Sequence, residues 1–256
     1  MKDSVSPVSR TRHSCPHGSS DAHALAQIAQ SGQAQPFAVF TATAAEAQRM
    51  MQEIPYFAPE LKLNFFPDWE TLPYDALSPH HDLVSERLGS LYSIMNGDCH
   101  MLIVPVTTVL TRLSPVRYLA AHTFFLKQRQ RLDSAALRQQ LTVAGYTYVT
   151  QVLSPGEYSF RGGLIDLYPM GSALPYRIDL FADEIESIRT FDVDTQRSLY
   201  AVPEIRLLPA REFPLDETGR TMFRQRYRDE FEGDPSQSTL YKNVSNGIAP
   251  AGIEYY

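Results

Sequence analysis

The sequence predicts an α/β protein: a three-layer domain of alternating strands and helices, carrying an inserted α+β module built on an antiparallel sheet. Three observations carry that expectation. From Asp21 to about Leu119, apolar strand-like runs alternate with helix-periodic stretches, as in a sheet with helices on its faces. Near Phe124 the pattern changes to short runs rich in Ile, Leu, Tyr and Phe. Turn signals at Pro155-Gly156, Pro169-Met170-Gly171 and Ala182-Asp183-Glu184 punctuate them. After Pro209 a charged helical stretch resumes.

The elements follow in order. A helix fits Asp21–Gln30, and Phe37–Phe40 is a short buried strand. Ala44–Glu53 is a helix with Thr43 as its N-cap, because a threonine hydroxyl accepts from a free first-turn N–H. Leu61–Phe66 is the next strand. Asp82–Met95 is helical, with Leu83, Leu88, Leu91 and Ile94 near one side. Met101–Val104 is almost wholly apolar, as a parallel strand covered on both faces should be. Thr107–Arg112 begins a short helix. Thr123–Lys127 is a strand, and Ser134–Val143 a helix capped by Asp133 and stopped by Gly145. An antiparallel run extends from Tyr146 to Phe191, and Glu204–Leu208 is the last strand of the module. A charged helix over Asp216–Phe231 is expected to pack back on the α/β domain. The boundaries are then a disordered lead-in over 1–20, an α/β domain over 21–122 and 209–256, and an inserted module over 123–208.

With 256 residues, 43% of them hydrophobic, the chain has material for one large or two modest cores. No apolar run is long enough to span a bilayer. The first twenty residues lack the apolar stretch of a secretory signal. Cys15 and Cys99 make no disulfide framework, so a reducing, cytoplasmic setting is expected. A net charge of −6 weighs against strong duplex-DNA binding, which needs clustered Lys and Arg. Arg129-Gln130-Arg131 and the stretch from Arg220 to Arg228 read as solvated faces.

Sites for metals and catalysis are not expected. His80-His81-Asp82 places three ligand types together, but adjacent side chains diverge; Asp82 reads as an acid complementing a helix N-terminus. Asp192 to Gln196 opens like a calcium loop and then fails, with Arg197 where glycine is required and Pro203 where the closing glutamate belongs. The carboxylate pairs Asp68/Glu70 and Asp183/Glu184 lie beside turn residues without a partner base. Trp69, the only tryptophan, reads as a core or interdomain anchor.

The module's strands carry the more pointed signal. In Tyr176-Arg177-Ile178-Asp179-Leu180-Phe181, side chains alternate faces with period two. Tyr176, Ile178 and Leu180 share the apolar face; Arg177, Asp179 and Phe181 share the other. Arginine and aromatic residues dominate protein–protein hot spots. Glu157, Asp166 and Asp179 are candidates to hold the arginines in place. The same residues also fit an ordinary solvent face, on which Arg177 pairs with Asp179 or a neighbour and Phe181 is half-buried at the sheet edge. Arg161 is ambiguous, because Gly162-Gly163 invites a bulge that would reset its face.

The pattern R-G-x-x-I-D-L-Y-P followed by R-I-D-L-F-x-D-E-I-E-x-I resembles a small domain shared by the excision-repair subunit UvrB and the bacterial transcription-repair coupling factors (Mfd). Asp68-Trp69-Glu70-Thr71-Leu72-Pro73-Tyr74-Asp75, Leu102-Ile103-Val104-Pro105-Val106 and Pro250-Ala251-Gly252-Ile253-Glu254-Tyr255-Tyr256 resemble the coupling factors and not UvrB. The resemblance runs from about Pro36 onward. It implies an N-terminal UvrB-homology region, whose α/β part is P-loop-NTPase-like with a degenerate nucleotide site. It also implies a partner surface for the damage-recognition ATPase UvrA at Arg161, Arg177 and Phe181. Further downstream it implies domains that bind RNA polymerase and DNA, a motor using ATP and magnesium, and a C-terminal domain that masks the UvrA surface. Arg177→Ala and Phe181→Ala are expected to weaken UvrA binding while leaving thermal stability nearly unchanged.

A phosphate loop needs G-x-x-x-x-G-K-[ST], with backbone N–H groups around the phosphates and the lysine on the β/γ oxygens. No Gly-Lys pair occurs in the sequence, so nucleotide hydrolysis and a bound cofactor are not expected. The alternative is a UvrB-type module that binds damaged DNA. It would need that lysine and a long aromatic hairpin, and Leu72 to Asp82 is too short and too poor in aromatics to be one.

Overall fold

The computed structural model describes residues 18–31 and 36–256. The expected lead-in and Cys15 therefore lie almost entirely outside the described residues. Helix α1 (Ser20–Gln30), strand β1 (Phe37–Thr41), helix α2 (Ala44–Phe57), strand β2 (Leu63–Phe65), helix α3 (His81–Met95) and strand β3 (Met101–Pro105) alternate as expected. The strands form a parallel sheet in the order β1-β3-β2. Parallel neighbours cannot be joined by a tight turn, which is why a helix lies between each pair in sequence. The Thr43 hydroxyl accepts from the N–H of Glu46, and the Glu46 carboxylate accepts from the N–H of Ala42, fixing where α2 begins.

Met101 and Ile103 of β3 face Ala22, Ala26 and Ala29 of α1 and Met50 and Ile54 of α2 in one core. The small alanines let α1 approach closely. The opposite face is open along β1, where Ala38 is exposed and Phe40 is 62% exposed. That face is closed further along the sheet, where Val104 of β3 is buried and Leu102 partly buried. Two short helices follow, α4 (Val106–Val109) and α5 (Val116–Ala121).

The second part begins with β4 (Phe124–Lys127) and α6 (Ser134–Val143), followed by β5 (Thr147–Tyr148), β6 (Glu157–Arg161), β7 (Leu164–Leu167), β8 (Tyr176–Phe181), β9 (Glu184–Phe191), β10 (Ser198–Ala201) and β11 (Glu204–Leu207). Six strands make one sheet in the order β10-β9-β8-β7-β6-β5. It is antiparallel except at its edge, where β5 runs parallel to β6. That differs from the uniformly antiparallel run expected. The chain loops through residues 149–155 before entering β6, so both strands are approached from the same end. β4 and β11 pair antiparallel as a separate ribbon. α6 starts at Asp133, whose carboxylate accepts from the N–H groups of Ala135 and Ala136. Its Leu137 and Leu141 pack on Tyr158, Ile165, Leu167, Ile178 and Ile188 of the sheet. Each such fully buried side chain contributes roughly 1.5–3 kcal/mol relative to exposure.

The two parts meet at α3. Gly171 lies against Gly89 of α3, and its N–H donates to the Ser85 hydroxyl at 2.8 Å. The buried Tyr146 hydroxyl donates to the Leu208 carbonyl at 2.7 Å, and burial raises its phenol pKa. A deeper clasp joins distant segments. Arg87 of α3 donates to both oxygens of Glu212, at 2.6 and 3.0 Å, and to the Pro67 carbonyl at 2.8 Å. The Trp69 indole N–H donates to the same Glu212, and the Arg87 guanidinium stacks over the Trp69 and Phe66 rings. Trp69 is therefore the buried anchor its composition suggested, and Tyr255 packs edge-on against it. Beyond the clasp, helix α7 (Glu217–Glu230) packs on helix α8 (Thr239–Ser245) through Phe223, Tyr227 and Tyr241.

Candidate partner-docking face

The sheet's outer face, opposite α6, is assembled from β6, β7, β8 and β9. Register places Ser159 opposite Asp166, Asp166 opposite Arg177, and Arg177 opposite Arg189. One rung along, Arg161 faces Leu164, Leu164 faces Asp179, and Asp179 faces Ser187. The alternation along β8 thus puts Arg177 and Asp179 outward, with Ile178 in the core.

Gly162 and Gly163 are not a bulge. They form the two-residue connection of the β6–β7 hairpin, Arg161 pairing directly with Leu164. Gly162 sits at φ +62°, which such tight connections require and glycine adopts without strain. Arg161 therefore keeps its place in the alternation, on the face of Arg177. The irregularity falls elsewhere, on the β8–β9 pairing between Asp179 and Leu180.

The centre of the face is Asp166. Its side chain is 1% exposed. Arg177 grips it bidentately, Nε to Oδ1 at 2.7 Å and Nη2 to Oδ2 at 3.0 Å. Arg161 donates to the same carboxylate through Nη2. The third arm of Arg177, Nη1, donates to the Gln196 carbonyl at 2.9 Å, and its plane lies over the Phe191 ring. The carboxylate holds the Arg177 pKa above the ordinary arginine value. Of the three candidate acids, Asp166 holds the arginines. Asp179 accepts instead from the Ser187 hydroxyl, and Glu157 from the N–H groups of Leu153 and Ser154.

The three candidate residues therefore differ in kind. Arg177 is 16% exposed and fully engaged, so it is a fixed part of the surface and not a projecting arm. Arg161 is 49% exposed and keeps free donors. Phe181 ends β8 and is 76% exposed. The neighbouring Ala182, at φ +55°, turns the chain into β9. Phe181 is thus not half-buried at the edge, while Arg177 does pair with a neighbour, Asp166, and not with Asp179. Two contributors lay outside the sequence reading. Gln196, at φ +58°, turns its carbonyl to Arg177, and buried Phe191 floors the guanidinium. Their only signal was the polar turn after β9, where Asp192 accepts from the N–H and hydroxyl of Thr195.

Elsewhere, His80 caps α3, its ring nitrogen accepting from the N–H of Asp82 at 3.3 Å. No helix among the described residues is long and apolar enough to cross a membrane.

Comparison with known proteins identifies the family. Residues 124–213 match the UvrB interaction domain family, a span that includes Arg161, Arg177 and Phe181. The chain is 46% identical over 239 residues to the transcription-repair-coupling factor of Escherichia coli K12, covering 93% of this chain and 21% of that protein. It is 43% identical over 241 residues to the same factor of Haemophilus influenzae, covering 92% of this chain and 20% of that one. It is 27% identical over 218 residues to that of Bacillus subtilis, 82% of this chain and 18% of the relative. The chain spans about a fifth of the length of these relatives. With nearly all of its residues aligned and its sheet module matched independently, the chain belongs to the transcription-repair-coupling factor family, as that family's N-terminal UvrB-homology region.

Proposed function

We propose that this chain is a non-catalytic adaptor of transcription-coupled repair, which recruits UvrA through the outer face of the β6–β9 sheet. The observation that carries the reading is Phe181: a large apolar ring standing in solvent on the face that holds the fixed Arg177 and the half-exposed Arg161, within the stretch matching the UvrB interaction domain. A solvent-exposed aromatic next to preorganised arginines is how an interface hot spot looks before its partner arrives. In this reading Phe181 enters an apolar socket on UvrA, Arg161 pairs with a carboxylate there, and Arg177 keeps the surface in shape.

The same proposal extends to the longer protein. RNA polymerase and DNA are engaged by other domains, ATP and magnesium serve a motor elsewhere in the chain, and a C-terminal domain covers the UvrA face until it is released. This region itself hydrolyses no nucleotide, its α/β domain lacking the Gly-Lys pair of a phosphate loop. The test is a calorimetric titration of the chain with purified UvrA, beside an ATPase assay of the chain alone. Saturable binding with no ATP turnover is the expected result. Absence of binding, or ATP turnover abolished by a substitution within this chain, overturns the proposal.

A further inference from the structure

We infer that Arg189 is a further specificity-determining residue of this face, and that the partner surface it meets is acidic; the inference rests on the UvrA-docking reading. Three observations lead to it. Arg189 lies directly across the strand pair from Arg177, two guanidinium-bearing side chains side by side on one face. Like charges in directly opposed positions destabilise a sheet. Arg177 is neutralised by Asp166, but that carboxylate is already shared with Arg161, so it has nothing left for a third arginine. The Arg189 side chain makes no hydrogen bond or ion pair to any other described residue.

The position is also sterically open. The residue opposite Arg189 on the other side, in β10, is Ala201, whose methyl group leaves the guanidinium uncovered. Asp179, the other acid of the face, is occupied by the Ser187 hydroxyl. The face carries three arginines against two carboxylates, Asp166 and Asp179, a local excess of one positive charge on a chain whose net charge is −6. Arg161 and Arg189 flank the fixed Arg177 with unused N–H donors. Phe181 lies further along β8 on the same face. The complement of such a face is a pair of separated carboxylates beside an apolar socket. Arginine suits the role because its planar fork engages a carboxylate bidentately and sheds water more readily than an ammonium.

A patch of this kind sets partner choice and association rate through its charge. The decisive experiment measures UvrA binding to the parent chain, Arg189→Ala, Arg189→Glu and Arg189→Lys across a series of salt concentrations, with a melting curve for each. Arg189→Ala is expected to weaken binding about tenfold. Arg189→Glu is expected to weaken it about a hundredfold or more, mostly through slower association at low salt, with the lysine variant recovering part of the loss. The alanine and glutamate variants are expected to melt at or slightly above the parent, since they relieve the like-charge pairing with Arg177, and the lysine variant with the parent. The salt dependence of Kd becomes shallower for the alanine variant. A parent that does not bind UvrA overturns both the docking reading and this inference. A parent that binds, with Arg189→Glu binding within about twofold of it, overturns this inference alone.

Discussion

Removing Arg177 tests the physical basis of the docking face, and the outcome differs from what an outward-pointing arginine would suggest. In Arg177→Ala, the Asp166 carboxylate, 1% exposed in the parent, loses its bidentate partner and keeps only the Nη2 of the half-exposed Arg161. Breaking a buried pair by deleting one partner costs about 3–5 kcal/mol, because the survivor is left desolvated and underpaired. Arg161 offsets part of that, placing this contribution near the lower bound. The lost charge-assisted bond to the Gln196 carbonyl and the lost stacking on Phe191 add to it. The working figure is about 3 kcal/mol, or roughly a 6–12 °C drop in Tm for a chain of this size. The assay is thermal and urea unfolding of Arg177→Ala, Asp166→Ala and the double variant. The double variant should be less destabilised than the sum of the singles, with a coupling of about 2 kcal/mol. A Tm for Arg177→Ala within about 1 °C of the parent, or strict additivity in the cycle, refutes the shared-carboxylate account.

Three further outcomes follow from the same geometry. Phe181→Ala should leave Tm within about 1 °C while weakening UvrA binding by about 2 kcal/mol, which makes it a cleaner probe of docking than Arg177; equal affinity in a titration would remove Phe181 from the interface. Gly171→Ala should destabilise by roughly 2–4 kcal/mol, because the position has φ +71° and an added Cβ would lie 2.9 Å from Leu208 and 3.0 Å from the Gly89 Cα; an unchanged urea midpoint would show that the joint between the two parts is looser than described. Glu254 has its pKa raised by burial, opposed by its own backbone N–H and the Ser78 hydroxyl and reinforced by the charge of Glu212. A raised acid binds its proton more tightly in the folded state, so its contribution is greatest at low pH and is lost as pH rises from the unfolded value through the folded one. Glu254→Gln should therefore raise Tm relative to the parent at pH 7 and lose that advantage near pH 4, whereas a gap independent of pH would contradict the burial of this carboxyl.

The parts of the fold carried by local pattern were legible in the sequence. The alternation of Met101 to Val104 and its neighbours with helices announced the parallel sheet, and Thr43 and Asp133 marked helix starts by chemistry that acts within three residues. The period-two reading of β8 placed Ile178 inside and Arg177 outside. Short elements escaped because they carry too few residues to show a period: α5, α8, β10 and the two-residue β5, whose parallel pairing depends on the loop that follows it. The site was half legible. Residue types and strand alternation pointed to Arg177 and Phe181, the family resemblance added Arg161, and Asp166 was one of three acids that could hold the arginines. Choosing among them required the register of β7 against β8, which is fixed by the turn between them and not by either strand alone. The partner of Trp69 was still less accessible, since Glu212 comes from the far side of the whole inserted module.

Asp166 stands between two arginines of unequal attachment, and this gives the face a sacrificial contact and a permanent one. When an incoming acid draws Arg161 away, Asp166 still has both oxygens occupied by Arg177, so no ion is stranded in the interior. Engagement then exchanges one acceptor for another at the rim while the foundation stays intact. The half-exposed arginine can change partners without disturbing the sheet that presents it.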